Sequence, residues 1–241
     1  FHIPGGWRAA AASATDSEIN ARLPSYIDFV KQILFGRHIG AAVGSLPMST
    51  TELRSAPPAF LEYQATENPG LLLGGHEVAV RLAQIAELKD HPNSGHAGRV
   101  GHLSARIAQA LCMSPEDVEA IRLAAQLHDL GKVGIPDKIL FNDEPLTLVQ
   151  MDVVKTHTTV GASILAGSTS PLFRMAEVIA LFHHENWNGT GYTPGLQGNG
   201  IPLVARIVRV TDSFDAMTMS RSFAEQWRRE SALEFIYSQS G

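Results

Sequence analysis

Ser114-Pro115-Glu116-Asp117-Val118-Glu119-Ala120-Ile121-Arg122-Leu123-Ala124-Ala125-Gln126-Leu127-His128-Asp129-Leu130-Gly131-Lys132 is the stretch whose reading decides the fold. It opens as a helix, with Ser114 as N-cap, Pro115 at the first helical position and an acid at the third. Val118, Ile121, Ala125 and Leu127 give it apolar spacing, and Gly131 can end it. His128 and Asp129 stand just before that end. Neighbours on an undistorted helix diverge by about 100°, so one ion is rarely held by both. At a fraying C-terminus the pair can face one cavity, and a carboxylate there can bridge two ions. Lys132, one turn after Asp129, adds a cation suited to a phosphate oxygen.

Outward from this stretch the pattern is helix after helix. Ser94 to Leu111 reads as one. Thr147 with Gln150 forms a second capping box, opening a single helix through Val154 to Leu165. Further helices are expected over Pro171 to His184, Pro202 to Met219 and Ser222 to Tyr237. Val208 to Val210 has strand propensity, but the surrounding helical spacing outvotes it. The fold class is all-α. Residues 1–74 read as a mostly helical extension or sensor remnant, with Ile27, Val30, Ile33 and Leu34 on one side of a helix over Ser25 to Ala42, and residues 75–241 as the domain proper. The chain opens at Phe1 and closes at Gly241 directly after a helical pattern, so it reads as a portion of something longer.

At 241 residues, 44% hydrophobic and 18% charged, the chain can bury a core without disulfides. Its net charge of −5 argues against DNA or RNA binding and against docking on an acidic membrane. A polyanionic ligand must therefore be held by local cations. The one cysteine, Cys112, excludes a disulfide framework and a Cys-rich zinc module, and fits a reducing, cytoplasmic compartment. Placed in an apolar helix end without a motif around it, it is no candidate nucleophile. No apolar run reaches the length needed to cross a bilayer.

The unusual count is ten histidines. His38, His76 and His102 are expected to be hydrogen-bonded core residues, and His91 a turn residue before Pro92. His96, His128, His157, His183 and His184 lie near helix ends or within helices and, with Asp129 and Asp212, exceed what one ion needs. Imidazole with carboxylate suits divalent iron, manganese, zinc or nickel. Helices that point such residues inward commonly build a two-metal site.

His128-Asp129-Leu130-Gly131-Lys132 resembles the HD-x-G-K signature of HD-domain phosphohydrolases. His183-His184-Glu185-Asn186-Trp187-Asn188-Gly189-Thr190-Gly191-Tyr192-Thr193 is similar to the signature of the HD-GYP family, as are Val133 to Leu140 and Arg206 to Met217. The resemblance covers roughly residues 90 to 238. It implies an HD-domain helical bundle with a binuclear metal cleft and a bacterial signalling enzyme. That enzyme would be a metal-dependent phosphodiesterase opening cyclic di-GMP to linear pGpG, with GMP left open as a further product. Position by position it implies that His96, His128, Asp129 and Asp212 hold one ion and Asp129, His157, His183 and His184 the other, iron first among the metals. The two ions would share the attacking hydroxide. Lys132 would contact the scissile phosphate, with Tyr192, Asp215 and Arg221 near the substrate.

Departures from the family pattern are Pro92 where some members carry a third-ion glutamate, Asn188 for Asp, Thr193 for Pro, and Ala224 for a phosphate-reaching cation. Loss of one such charge-assisted contact costs about 1.5–3 kcal/mol of binding. This leaves two alternatives: a phosphohydrolase for another cyclic dinucleotide, or a weakly active module that binds cyclic di-GMP. Trp187 is read equally as a guanine-stacking residue or a loop anchor. The N-terminal helical pattern is compatible with a homodimer, although its heptads are too few to specify one.

Overall fold

The computed structural model describes residues 69–90, 95–142, 144–219 and 227–238. Among them there are helices and turns and no strand, in line with the all-α reading. The helices are α1 (Pro69–Asp90), α2 (His96–Ala110), α3 (Pro115–Ala124), α4 (Asp137–Leu140), α5 (Leu148–Lys155), α6 (His157–Leu165), α7 (Pro171–Phe182), α8 (Leu203–Thr218) and α9 (Arg229–Ser238). The helix expected over Ser25 to Ala42 lies outside the described residues, as do His38, His91, Pro92, Arg221 and Ala224. Among the described residues no helix is long and apolar enough to cross a membrane.

The core is built from small and branched apolar side chains. Ala79, Ala83 and Ala86 of α1 pack with Val100 of α2, Leu123 and Ala124 of α3, Leu127, Leu130, Ala176 and Ile179 of α7, and Val208 of α8. The alanines let the helix axes approach closely. Gly101 serves the same end between α2 and α3, since a Cβ there would lie 2.4 Å from the Arg122 carbonyl oxygen. α1 begins at Pro69 and runs across the boundary expected between residues 74 and 75.

Local signals in the sequence act as read. The Ser114 hydroxyl accepts from the Asp117 amide at 3.1 Å. Thr147 and Gln150 form the reciprocal capping box. α2 closes on Cys112 at φ 58, with Met113 N–H donating to Ala108 O at 3.1 Å and Cys112 N–H to Gln109 O at 3.0 Å. Cys112 is thus an exposed helix-closing residue, not part of an apolar helix end.

The helix expected from Thr147 to Leu165 is two helices. The ladder breaks at Thr156, whose hydroxyl donates to Val153 O at 2.6 Å. α6 then starts on His157. The decisive stretch also changes character near its end. α3 passes into a 3-10 turn over Ala125–Leu127, Asp129 leaves helical geometry (φ −98, ψ 10), and a second 3-10 turn spans Leu130–Gly134. Gly131 does more than end a helix. A Cβ on it would lie 1.8 Å from His157 O and 2.4 Å from Gly161 N. The turn therefore rests backbone to backbone on α6, which brings Asp129 beside His157.

Candidate metal centre

His128 and Asp129 reach one cavity because the helix has dissolved into 3-10 turns beneath them. His128 Nε2 lies 3.2 Å from Asp129 Oδ2. The two oxygens of Asp129 face different partners. Oδ2 meets His128 and, at 2.7 Å, Lys132 Nζ; Oδ1 lies 3.3 Å from His157 Nε2 and 3.7 Å from His183 Nε2. His184 packs against His183 and His157, with ring centroids 4.1 and 5.1 Å away. On the other side His96 Nε2 stands 3.4 Å from Asp212 Oδ1, and His128 Nε2 3.8 Å from it. All seven sequence-predicted ligands are thus gathered around one carboxylate.

The ring orientations are settled by what stands behind them. Nδ1 of His128 donates to Ala125 O at 2.8 Å and that of His157 to Val154 O at 2.7 Å. Nδ1 of His183 faces Ala180 O at 3.0 Å. Each such bond leaves the Nε2 lone pair pointing inward. His157 Nε2 and His183 Nε2 then face each other at 3.4 Å. Two lone pairs at that distance, beside a carboxylate, are tolerated when a cation lies between them. His128 Nε2 and Asp129 Oδ1 are buried without a hydrogen-bond partner. This donor set fits divalent metal: Asp129, His157, His183 and His184 form one group, and His96, His128 and Asp129 another.

Without metal the two groups carry opposite electrostatics. Burial lowers His96, but hydrogen bonds to Asp212 and Asp215 outweigh it and lift it to about 9. Burial also opposes charge on His128, and the neighbouring Asp129 overrides it upward. Burial pushes His157 down to about 4, and burial beside His183 holds His184 well below the usual histidine range. Asp129 resists its own burial through Lys132 and His128 and stays well below the carboxylate range. Asp212 does likewise through His96.

Tyr192 stacks on His184 with centroids 4.7 Å apart and planes 22° from parallel. Its loop is pinned to the histidine pair. A Cβ on Gly191 would meet Asn186 N at 2.4 Å, and buried Glu185 accepts the Gly195 N–H at 2.7 Å. Trp187 is tied into its loop: its carbonyl accepts from Gly198 N–H at 2.9 Å and its ring faces the Arg206 guanidinium at 5.4 Å.

Asp215, expected near substrate, is 3% exposed and meets the His96 ring while held by Arg99. The reading of two histidines needs correcting. His102 is exposed and donates to Gly98 O at 2.8 Å instead of lying in the core, and His76 is half-buried. Neither belongs to the cluster. Sequence reasoning missed Arg99, Glu185 and Gly161. The signal for Arg99 was present in its position one turn after His96 on the same helix face.

A family profile described as HD domain matches residues 81–241. The chain is 41% identical over 165 residues to the cyclic di-GMP phosphodiesterase response regulator RpfG of Xanthomonas campestris, a match covering 68% of this chain and 44% of that one. It is 44% identical over 165 residues to a cyclic di-GMP phosphodiesterase of Thermotoga maritima, covering 68% of this chain and 45% of the relative. The 3'3'-cGAMP-specific phosphodiesterase 2 of Vibrio cholerae is 34% identical over 165 residues, 68% of this chain and 32% of its own length. The chain thus spans less than half the length of these curated relatives. With its His128-Asp129 pair and its Gly191-Tyr192 loop set against one histidine cluster, the chain belongs to the HD-domain family and, within it, to the HD-GYP group.

Proposed function

We propose that this chain is a metal-dependent phosphodiesterase that opens cyclic di-GMP to linear pGpG. The observation that carries the reading is the divided carboxylate of Asp129, with Oδ2 turned to His128 and Oδ1 to His157 and His183. His96, His128, Asp129 and Asp212 would hold one divalent ion, and Asp129, His157, His183 and His184 a second, with iron the first choice and manganese, zinc and nickel behind it. Such ions supply Lewis acidity and an activated water for in-line attack at phosphorus.

The protein's own groups do the rest. Lys132, held over the site by Asp129, meets the charge that grows on the phosphoryl oxygens. The backbone carbonyls behind His128, His157 and His183 accept from each Nδ1 and aim each Nε2 inward. Tyr192, stacked on His184, walls the site toward the glycine-rich loop and excludes bulk water. The water oxygen joins phosphorus, the bond from phosphorus to O3' breaks, and a proton ends on O3'. The ring opens to a linear dinucleotide with one 5'-phosphate. The exposed free thiol of Cys112 suits a reducing, cytoplasmic setting.

A mixed purine cyclic dinucleotide is the second reading, supported by the Vibrio relative named for 3'3'-cGAMP and by Ala224. The test is chromatography of products from cyclic di-GMP and 3'3'-cGAMP, using protein prepared without oxygen and loaded with Fe(II) or Mn(II). Linear pGpG, absent with a His128/Asp129 double-alanine variant, is the expected result. No product from either dinucleotide would overturn the phosphodiesterase reading, and product from 3'3'-cGAMP alone would replace the substrate.

A further inference from the structure

Three of the cluster's imidazoles are oriented by their own neighbourhood. His128, His157 and His183 each set Nδ1 against a carbonyl three residues earlier, which the preceding helical turn supplies. His96 is placed differently among the described residues. It is the first residue of α2, and Gly95 before it is left-handed at φ 66.

Its support comes from a distant part of the chain. His96 Nδ1 lies 2.7 Å from Asp215 Oδ2, across 119 positions of sequence. Arg99, one turn along α2, grips the same carboxylate as a fork. Its Nε donates to Oδ1 at 2.7 Å and its Nη2 to Oδ2 at 2.9 Å. One turn before Asp215 on α8, Asp212 approaches the other ring nitrogen at 3.4 Å. α8 thus holds the His96 ring from both sides, and α2 holds Asp215 from two points.

We propose that Arg99 and Asp215 are positioning residues that set the orientation and tautomer of His96, and so govern whether the half-site of His96, His128, Asp129 and Asp212 takes its ion. This rests on the two-ion reading above. A carboxylate that accepts from Nδ1–H leaves the Nε2 lone pair free for metal and strengthens it as a ligand. A carboxylate bonded only to His96 can still swing about its own side-chain torsion. The two-point guanidinium fork removes that freedom and balances the charge of a nearly fully buried group. A lysine ammonium supplies the charge at one point only. The half-site of His157, His183 and His184 draws on none of these contacts, so the two ions differ in what keeps their ligands in place.

The experiment is Mn(II) binding to the full chain, followed by equilibrium dialysis and electron paramagnetic resonance, for wild type, Arg99→Ala, Arg99→Lys and Asp215→Asn. Wild type is expected to bind two ions per chain. Arg99→Ala and Asp215→Asn are expected to keep one ion at wild-type affinity and to weaken the other by about 10–100-fold, the usual cost of losing a partner behind a metal-ligating histidine. Arg99→Lys is expected to recover part of that loss. The retained ion doubles as proof that each variant is folded. Two ions bound at wild-type affinity in Arg99→Ala and Asp215→Asn would overturn the proposal. Equal weakening of both ions would also overturn it, because that marks a general structural role. Fewer than two ions in wild type would overturn the two-ion reading itself, and this inference with it.

Discussion

The two halves of the histidine cluster meet at Asp129 and differ in composition and in support. One half sets three imidazoles, His157, His183 and His184, against a single carboxylate oxygen. The other sets His96 and His128 among Asp129 and Asp212, with Asp215 behind. The imidazole-rich half is built from the start of α6 and the end of α7, which pack directly together. The carboxylate-rich half joins α2, the end of the α3 stretch and α8. Burial pushes His157 in the first half down to about 4, whereas in the second hydrogen bonds to Asp212 and Asp215 outweigh burial and lift His96 to about 9.

The largest effect is expected where the halves are joined. Gly131→Ala places a Cβ 1.8 Å from His157 O, and neither backbone can retreat without parting Asp129 from His157. The destabilisation should exceed about 4 kcal/mol, measured by denaturant unfolding; a well-folded variant of near wild-type stability would refute the close approach. Next comes the bridge itself. Asp129→Ala should lose both ions and turnover, whereas His157→Ala should strip only the imidazole-rich half. Metal analysis distinguishes them, and an Asp129→Ala protein with two ions and full activity would end the bridging assignment.

The smallest effect concerns protons. In metal-free protein His157 has a folded value of about 4 against 6.5 unfolded. The unfolded chain therefore binds the extra proton, and stability is lost as pH falls from 6.5 toward 4. His96 has the opposite sign: its contribution is full below 6.5 and lost as pH rises through about 9. Thermal melting after chelation should peak near pH 6.5. His157→Gln should flatten the acid side and His96→Gln the alkaline side. The same acid slope in His157→Gln as in wild type would remove His157 from that account.

Much of this was legible beforehand. The caps at Ser114 and Thr147 and the gathering of histidines near helix ends follow from short-range patterns. The break at Thr156 was not legible, because the capping box and the apolar spacing on both sides favour one continuous helix. Its use appears only in the fold, where α6 must begin at His157 for that ring to meet Asp129. The surface position of His102 was equally hidden, since a histidine among small residues reads the same on either face of α2.

By itself the sequence determined which histidines and carboxylates were candidates for one cluster and where the caps at Ser114 and Thr147 start their helices, because caps and apolar spacing are local matters. Tertiary structure alone decided that the two oxygens of Asp129 serve different histidines and that Asp215 meets the His96 ring. Those outcomes depend on backbone contact between Gly131 and His157 and on the approach of α2 to α8 across more than a hundred residues. No local period in the chain encodes how closely two distant helices come to rest.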